Sequence, residues 1–171
     1  MQERPNAITF KGKPLTLLGP ELKTGVPAPD CTLAANDLSE VKLASFRGKV
    51  CIVSVVPSLD TPVCSTETRR FNEEAATLGG EVVILTVSMD LPFAQKRWCA
   101  AEGIDRVVTL SDYRTGAFGT AYGLLIKELG LLARCVIVID RSGIIRYVQL
   151  VPEVATEPDY QAVLQAVQEL K

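Results

Sequence analysis

Short, nearly continuous apolar runs are the clearest feature of the sequence. An apolar run without alternating polar positions is typical of a strand that is covered on both faces, as in the centre of an α/β sheet. The strongest run is Val50–Val56, in which valine predominates. Residues 81–89 and 106–111 have the same character. The pattern therefore predicts three buried strands in the middle of the chain.

Amphipathic segments separate these strands. Residues 62–78 and 91–103 have the composition of helices that end at glycines. Residues 157–170 predict a terminal helix, because their apolar positions recur on one helical face. The proline-rich segment before the first buried strand predicts a loop with one short strand near Cys31–Leu33. Residues 112–133 contain several glycines and show no clear hydrophobic periodicity, so no element is assigned to them.

Two hairpins complete the predicted architecture. Residues 7–19 alternate apolar and polar positions around a Lys-Gly-Lys turn, and residues 134–151 form a second hairpin around an Asp140–Gly143 turn. Strands that alternate with helices favour parallel pairing, and the late hairpin adds an antiparallel part. We therefore predict an α/β, thioredoxin-like fold with a mixed central sheet flanked by helices and an N-terminal β-hairpin. The prediction is one domain over 1–171, with 1–18 as the hairpin extension.

Length and composition narrow the functional classes. The 171 residues favour a single domain, and a hydrophobic content of 47% is too high for a disordered chain. A net charge of −2 without a run of Lys or Arg argues against a nucleic-acid partner. No apolar stretch reaches membrane-spanning length, and residues 1–20 lack the layout of a signal peptide. We expect a soluble, cytoplasmic protein without a membrane partner.

The cysteine and histidine contents restrict the chemistry further. The chain has five cysteines and no histidine, and it contains no C-x-x-C motif. An odd number of cysteines is unusual for a secreted disulfide framework, and the spacing is not that of a zinc site. A Cys-His or Ser-His catalytic pair is excluded, because no histidine is present to act as the base. A catalytic cysteine would have to be activated in another way.

One cysteine lies where a predicted strand passes into a helix. Pro57 interrupts the apolar run, and Thr61, Pro62 and Cys64 follow. Thr61 is a suitable N-cap, and proline is well tolerated at the first helical position. Cys64 then falls in the first turn, where free backbone N–H groups and the helix dipole favour a thiolate. The carboxyl end of a strand is also where open α/β sheets tend to place their chemistry.

Ionisation alone would not make the Cys64 thiol react rapidly. A stabilised thiolate is more abundant but less nucleophilic, and the net gain is only about two- to threefold. Another group must stabilise the charge that develops on the leaving atom. The Thr61 hydroxyl and an arginine are candidates. Arg134 opens a buried strand, which favours it over the nearby Arg141 and Arg146, although a strand residue of this kind can also lie at the surface.

The spacing Pro57-x-x-x-Thr61-x-x-Cys64 matches the signature of the peroxiredoxins. Nearly the whole chain resembles the atypical two-cysteine branch of that family, to which bacterial thiol peroxidases belong. The segments that carry the resemblance are SLDTPVC (58–64), LPFAQKRWC (91–99), ARCVIVIDRSG (133–143) and EPDYQAVLQAV (157–167).

The resemblance implies a role for each matching residue. Cys64 corresponds to the peroxidatic cysteine, which attacks a hydroperoxide and becomes a sulfenic acid. Thr61 and Arg134 correspond to the pair that bonds the sulfur and the peroxide oxygens, and Pro57 shields the site. Cys99 corresponds to the resolving cysteine, which forms an intramolecular disulfide with Cys64.

The resemblance also implies the partners of the reaction. It suggests alkyl or lipid hydroperoxides and hydrogen peroxide as substrates, thioredoxin as the reductant, a homodimer, and no cofactor or metal. Both Cys64 and Cys99 fall in predicted helices, whereas a disulfide needs Cα atoms about 4.4–6.8 Å apart. If the two are distant in the reduced protein, at least one helix must unwind before they can join.

Simpler interpretations remain for several residues. Free cysteine is often a small core residue, which is the expected role of Cys31, Cys51 and Cys135. Thr61 alternatively serves only as a helix cap. Charged residues of the first helix are expected to form a solvated face: Glu67, Arg69, Arg70, Glu73 and Glu74.

Two other functions compete with a peroxidase. One is a non-catalytic, redox-sensitive binding module built on the same fold. The other is a thioredoxin-type disulfide exchanger, which the missing C-x-x-C argues against. Arg69 stands five residues after Cys64, where a second cysteine would lie in the peroxiredoxin branch that carries both cysteines in one helix.

Overall fold

The computed structural model describes all 171 residues, which form ten strands and four α-helices. The helices are α1 (Pro62–Leu78), α2 (Pro92–Glu102), α3 (Ala117–Ala121) and α4 (Tyr160–Gln168). The strands are β1 (Glu3–Phe10), β2 (Lys13–Leu18), β3 (Thr32–Ala34), β4 (Glu40–Lys42), β5 (Val50–Val55), β6 (Val82–Ser88), β7 (Val108–Ser111), β8 (Leu125–Ile126), β9 (Cys135–Ile139) and β10 (Ile145–Leu150). A short 3-10 helix spans Leu43–Phe46.

A seven-stranded mixed sheet forms the centre of the molecule, in the order β10-β9-β5-β6-β7-β3-β4. The three predicted buried strands, β5, β6 and β7, are parallel to one another. β9 pairs antiparallel with β5, and β10 pairs antiparallel with β9. The predicted fold class is therefore confirmed, including the N-terminal hairpin of β1 and β2.

The two faces of the central sheet are covered by different elements. Alternate residues of a strand point to opposite faces. Ile52 of β5 packs in one cluster with Phe71 of α1 and Val163 of α4. Its neighbour Val53 packs on the other face with Leu17 of the N-terminal hairpin. The first face therefore carries α1, α2 and α4, and the second carries the hairpin and Phe118 of α3.

Three of these strands and α-helices, β4, β8 and α3, were not predicted. β8 lies in the glycine-rich segment 112–133 and adds a third strand to the hairpin by pairing with β2. The short strand expected near Cys31–Leu33 is β3, and β4 pairs with it at the edge of the large sheet.

The terminal helix begins later than predicted, at Tyr160, because Asp159 caps it by accepting from the Ala162 N–H at 3.1 Å. No helix is both long and apolar enough to cross a bilayer.

The predicted turn between β9 and β10 is held by the Asp140 carboxylate. One oxygen accepts from the Ser142 and Ile144 N–H groups, both at 2.9 Å, and the other from Arg146 Nε at 2.6 Å. Partial burial alone would raise the pKa of Asp140, but these donors outweigh it and hold the pKa below the ordinary value of 3.8. The carboxylate form thus stabilises the turn.

Replacing Asp140 by asparagine is expected to lower the melting temperature at pH 7. A carboxyl group with a lowered native pKa contributes stability above its unfolded pKa and loses it as the pH falls through the native value. The difference between wild type and Asp140→Asn should therefore shrink below about pH 4. Thermal unfolding followed by circular dichroism from pH 7 to about pH 2.5 measures it. The exposed Asp105 gives a control, since Asp105→Asn should leave the melting temperature unchanged. A difference that stays constant with pH would contradict this account of the turn.

Candidate active site

Cys64 lies in the first turn of α1, just beyond the carboxyl end of β5. Thr61 is the N-cap residue, with extended φ and ψ of −114° and 148°, and proline follows at the start of the helix. The Thr61 hydroxyl oxygen accepts from the Cys64 N–H at 3.4 Å and donates to the carbonyl oxygen of Ser58 at 3.1 Å. Local sequence therefore fixes the backbone that presents this cysteine.

The positively charged side chain of Arg134, which is distant from Cys64 in sequence, contacts the Cys64 sulfur. It immediately precedes β9, and only 2% of its side chain is exposed. Its Nη2 donates to Cys64 Sγ at 3.2 Å, and its Nε donates to the Val154 carbonyl oxygen at 3.0 Å. Of the three arginines considered from the sequence, Arg134 alone contacts Cys64. Arg141 and Arg146 make exposed ion pairs with other carboxylates.

Glu67 is a buried member of the site, and the prediction that it lies on the solvated face of α1 was wrong. Its carboxylate is fully buried and accepts from Arg134 Nη1 at 2.6 Å and from Ser54 Oγ at 2.8 Å. Glu67 follows Cys64 by three positions and precedes Phe71 by four, so all three share the inward face of α1. That spacing was the available signal. The surface interpretation holds for Arg70, which forms an exposed pair with Glu74.

Burial and charge act in opposite directions on this ion pair. Burial raises the pKa of Glu67, and the Arg134 charge and the hydrogen bonds from Arg134 and Ser54 oppose that rise. Burial alone would lower the pKa of Arg134, but the negative charges of Cys64 and Glu67 outweigh it and raise the pKa. The guanidinium is therefore positively charged at any physiological pH.

The sulfur of Cys64 is covered in the resting structure. Cys64 has no exposed surface, and it packs against Val56, Leu59 and the partly buried Trp98. Pro57 is also buried. Leu59 and Trp98 also line an open groove of about 300 Å³, and Cys64 is not part of its lining. A reactant in this groove reaches the sulfur only when the loop carrying Leu59 or the helix carrying Trp98 moves.

The covering loop is tied to the start of α2 by the Asp90 carboxylate, which sequence reasoning missed. One oxygen of Asp90 accepts from Ser58 Oγ at 2.7 Å, and the other accepts from the Leu59 N–H at 2.8 Å and from Ser88 Oγ at 2.7 Å. Asp90 lies between β6 and α2. The carboxylate thus connects the segment before Cys64 with the segment before Cys99.

Cys99 lies on α2 and is separate from Cys64; both thiols are free. Its Sγ is 3.7 Å from the hydroxyl of Thr109 on β7, and that hydroxyl donates to Asn36 Oδ1 at 3.0 Å. Burial raises the pKa of Cys99, and the Thr109 contact opposes this only in part. The structure therefore does not bring the two sulfurs together.

The other three cysteines lie in the hydrophobic core. Burial is the main cause that raises the pKa of Cys31 to about 12, that of Cys51 to about 11, and that of Cys135 above its ordinary value. These thiols stay protonated near neutral pH and are poor nucleophiles. No group of three or more His, Cys, Asp or Glu residues is arranged to hold a metal ion.

Comparisons with known proteins agree on one family. The Redoxin family model matches residues 23–164. A thiol peroxidase of Oceanobacillus iheyensis is 60% identical over 157 residues, which cover 92% of this chain and 95% of that protein. A thiol peroxidase of Bacillus subtilis is 55% identical over 163 residues, which cover 95% and 97%.

Solved structures give the same result for the fold. A peroxiredoxin-like protein from Aquifex aeolicus superimposes with a TM-score of 0.91 at 46% identity, covering 97% of this chain and 98% of that one. A thiol peroxidase from Chromobacterium violaceum superimposes with a TM-score of 0.84, covering 95% of each chain. Its identity is only 19%, so this second likeness concerns the fold alone.

Proposed function

Since this chain belongs to the Redoxin family and is a thiol peroxidase of the peroxiredoxin type, we propose that Cys64 is the sulfur that attacks the hydroperoxide. The supporting observation is the Arg134 guanidinium, which donates a hydrogen bond to Cys64 Sγ at 3.2 Å. None of the other four cysteine sulfurs accepts a hydrogen bond from a cationic side chain.

The first step is a displacement on oxygen. The Cys64 thiolate attacks the terminal oxygen of the hydroperoxide, the O–O bond breaks, and the sulfur becomes a sulfenic acid. The departing alkoxide takes up a proton and leaves as an alcohol, or as water when the substrate is hydrogen peroxide. Arg134 stabilises the negative charge as it moves from sulfur to the leaving oxygen.

Thr61 and Pro57 have supporting roles in this proposal. The Thr61 hydroxyl donates to the Ser58 carbonyl in the resting state, so it must rotate before it can donate to a peroxide oxygen. Pro57 has no N–H to donate and is buried. Its proposed role, which follows from the family resemblance, is to shield the sulfenic acid from water.

The second step is proposed to join the two cysteines. The Cys99 thiol gives up its proton and attacks the Cys64 sulfenic sulfur, which releases water and leaves a Cys64–Cys99 disulfide. A dithiol protein, which we propose to be thioredoxin, reduces this disulfide and regenerates both thiols. The net reaction consumes one hydroperoxide and one dithiol and yields an alcohol, water and a disulfide.

Substrate range and assembly rest on family likeness. We propose alkyl or lipid hydroperoxides, together with hydrogen peroxide, as substrates, because the curated relatives are thiol peroxidases. A homodimer and a single domain over 1–171 stay predictions on the same basis.

Replacing Cys99 by serine is expected to separate the two steps. The variant should consume one equivalent of peroxide at the wild-type rate, because the surroundings of Cys64 are unchanged. Turnover with thioredoxin, thioredoxin reductase and NADPH should then stop, because no disulfide forms. Single-turnover peroxide consumption and steady-state NADPH oxidation measure the two quantities.

A matched control and a direct assignment accompany this test. Cys31→Ala removes another buried thiol and should leave both steps intact. Peptide mapping by mass spectrometry of peroxide-treated wild type should find Cys64 joined to Cys99. Sustained turnover by Cys99→Ser, or a different disulfide, would refute the assigned resolving cysteine.

A further inference from the structure

Three hydroxyl side chains form a row across the central sheet. Ser54 of β5 pairs with Thr86 of β6, and Thr86 pairs with Thr109 of β7, all in parallel register. Residues paired in this way point to the same face. Ser54 and Thr86 are fully buried, and Thr109 is 3% exposed. Polar groups thus interrupt a face that is otherwise packed with apolar side chains, such as Ile52 and Ile84.

The two ends of this hydroxyl row contact the two helices that carry Cys64 and Cys99. Ser54 Oγ donates to the carboxylate of Glu67, one turn after Cys64 in α1. Thr109 lies 3.7 Å from the Cys99 sulfur of α2. Neighbouring strands are about 4.8 Å apart, so Ser54 and Thr109 are separated by about 10 Å across β6. The hydroxyl row therefore runs beneath both helices, from the one that carries Cys64 to the one that carries Cys99.

The middle hydroxyl of the row lacks a protein partner. Ser54 is paired with Glu67, and Thr109 donates to Asn36, but Thr86 Oγ1 is buried with no protein group in hydrogen-bonding position. A buried hydroxyl without a partner destabilises the packed state, because it has lost its hydrogen bonds to water and has formed none with the protein. That cost disappears when the covering helices move and water reaches the strand.

We propose that Thr86 is a positioning residue for disulfide formation: its unpaired hydroxyl destabilises the closed packing of α1 and α2 on the sheet and so speeds the opening that lets Cys64 and Cys99 meet. α1 packs on β6 and α2 on β7, so both helices border this position. Thr86 takes no part in the attack on peroxide, because it contacts neither sulfur. The inference rests on the proposed Cys64–Cys99 disulfide.

The test compares Thr86→Val with Thr86→Ser. Valine keeps the shape of threonine and removes the hydroxyl, whereas serine keeps the hydroxyl. Trp98, the only tryptophan, borders both Cys64 and Cys99 and reports on both steps by its fluorescence. In stopped-flow experiments, the phase that depends on peroxide concentration gives the first step, and the phase that does not gives disulfide formation.

Thr86→Val is expected to form the disulfide about tenfold more slowly, which corresponds to about 1.4 kcal/mol. Its first step should stay within about twofold of wild type, since the contacts of Cys64 are unchanged. Thr86→Ser should keep the second step within about threefold of wild type. The slower variant should also accumulate more sulfinic acid at Cys64 when peroxide is in excess, because the sulfenic acid persists longer.

Hydrogen exchange, measured without peroxide, tests whether α1 and α2 open from the sheet less often in Thr86→Val. Hydrogen exchange of the reduced protein should show greater protection of the backbone amides at the start of α1 and in α2 in Thr86→Val. Equal second-step rates in wild type and Thr86→Val, with the Cys64–Cys99 disulfide present in both, would overturn the role of Thr86 and leave the proposed function intact. Faster disulfide formation in Thr86→Val would also overturn it. Absence of that disulfide from wild type would overturn both proposals.

Discussion

Cys64→Ser is expected to lose peroxidase activity entirely, with a rate of peroxide consumption at least about 10³-fold below wild type. A serine hydroxyl does not ionise near neutral pH, and it cannot form a sulfenic acid. Loss of cumene hydroperoxide and of hydrogen peroxide, followed with a thioredoxin reducing system, measures the effect. The Arg134 side chain keeps its contacts with Glu67 and Val154, so the variant should fold normally.

Cys51→Ala is the matched control, because Cys51 is a buried thiol of β5 whose sulfur accepts no hydrogen bond from a cationic side chain. It should retain the wild-type rate. Residual turnover by Cys64→Ser would contradict the assignment of the attacking sulfur. A wild-type protein that reacts only as fast as an ordinary thiol would instead favour the non-catalytic redox module.

Arg134→Met is expected to have two large effects. It leaves the buried Glu67 carboxylate without its cationic partner, which should lower the free energy of unfolding by about 3–5 kcal/mol. It also removes the donor to Cys64 Sγ, which should lower the second-order rate with peroxide by about 10²–10³-fold. Urea unfolding and stopped-flow kinetics measure the two quantities.

A double variant separates stability from catalysis. Arg134→Met combined with Glu67→Gln removes both charges, so no uncompensated charge is left in the core and most of the stability should return. The rate should stay low, because the donor to sulfur is still missing. Arg141→Met, which breaks an exposed ion pair with Glu81, is the control and should change stability by at most about 1 kcal/mol. Recovery of the rate together with stability would show that Arg134 acts only on the fold.

The order and type of most elements could be predicted because they depend on local periodicity. β5, β6 and β7 are apolar runs, and α1 and α2 begin at prolines that cannot continue a strand. β8 could not be predicted, since it has only two residues and exists through its pairing with β2, which is far away in sequence. Such a strand depends on tertiary contacts more than on its own residues.

The site was predictable to the extent that it is local. The geometry of Thr61 and Cys64 follows from a cap, a proline and one helical turn. The burial of Glu67 could be predicted only if its ion pair with Arg134 were known, because a lone carboxylate in the core would be very unfavourable. The covered state of the sulfur depends in part on Trp98 of α2, and no local pattern specifies that Trp98 packs against Cys64.

The Asp90 carboxylate has a consequence for the timing of the catalytic cycle. It accepts hydrogen bonds from the loop that covers Cys64, and it lies just before the helix that carries Cys99. When the loop moves away to admit a hydroperoxide, the Asp90 carboxylate loses the Ser58 and Leu59 donors and keeps only the Ser88 hydroxyl. The residue that leads into the second helix then has fewer restraints. Admission of the oxidant therefore loosens the start of the segment that carries the second thiol.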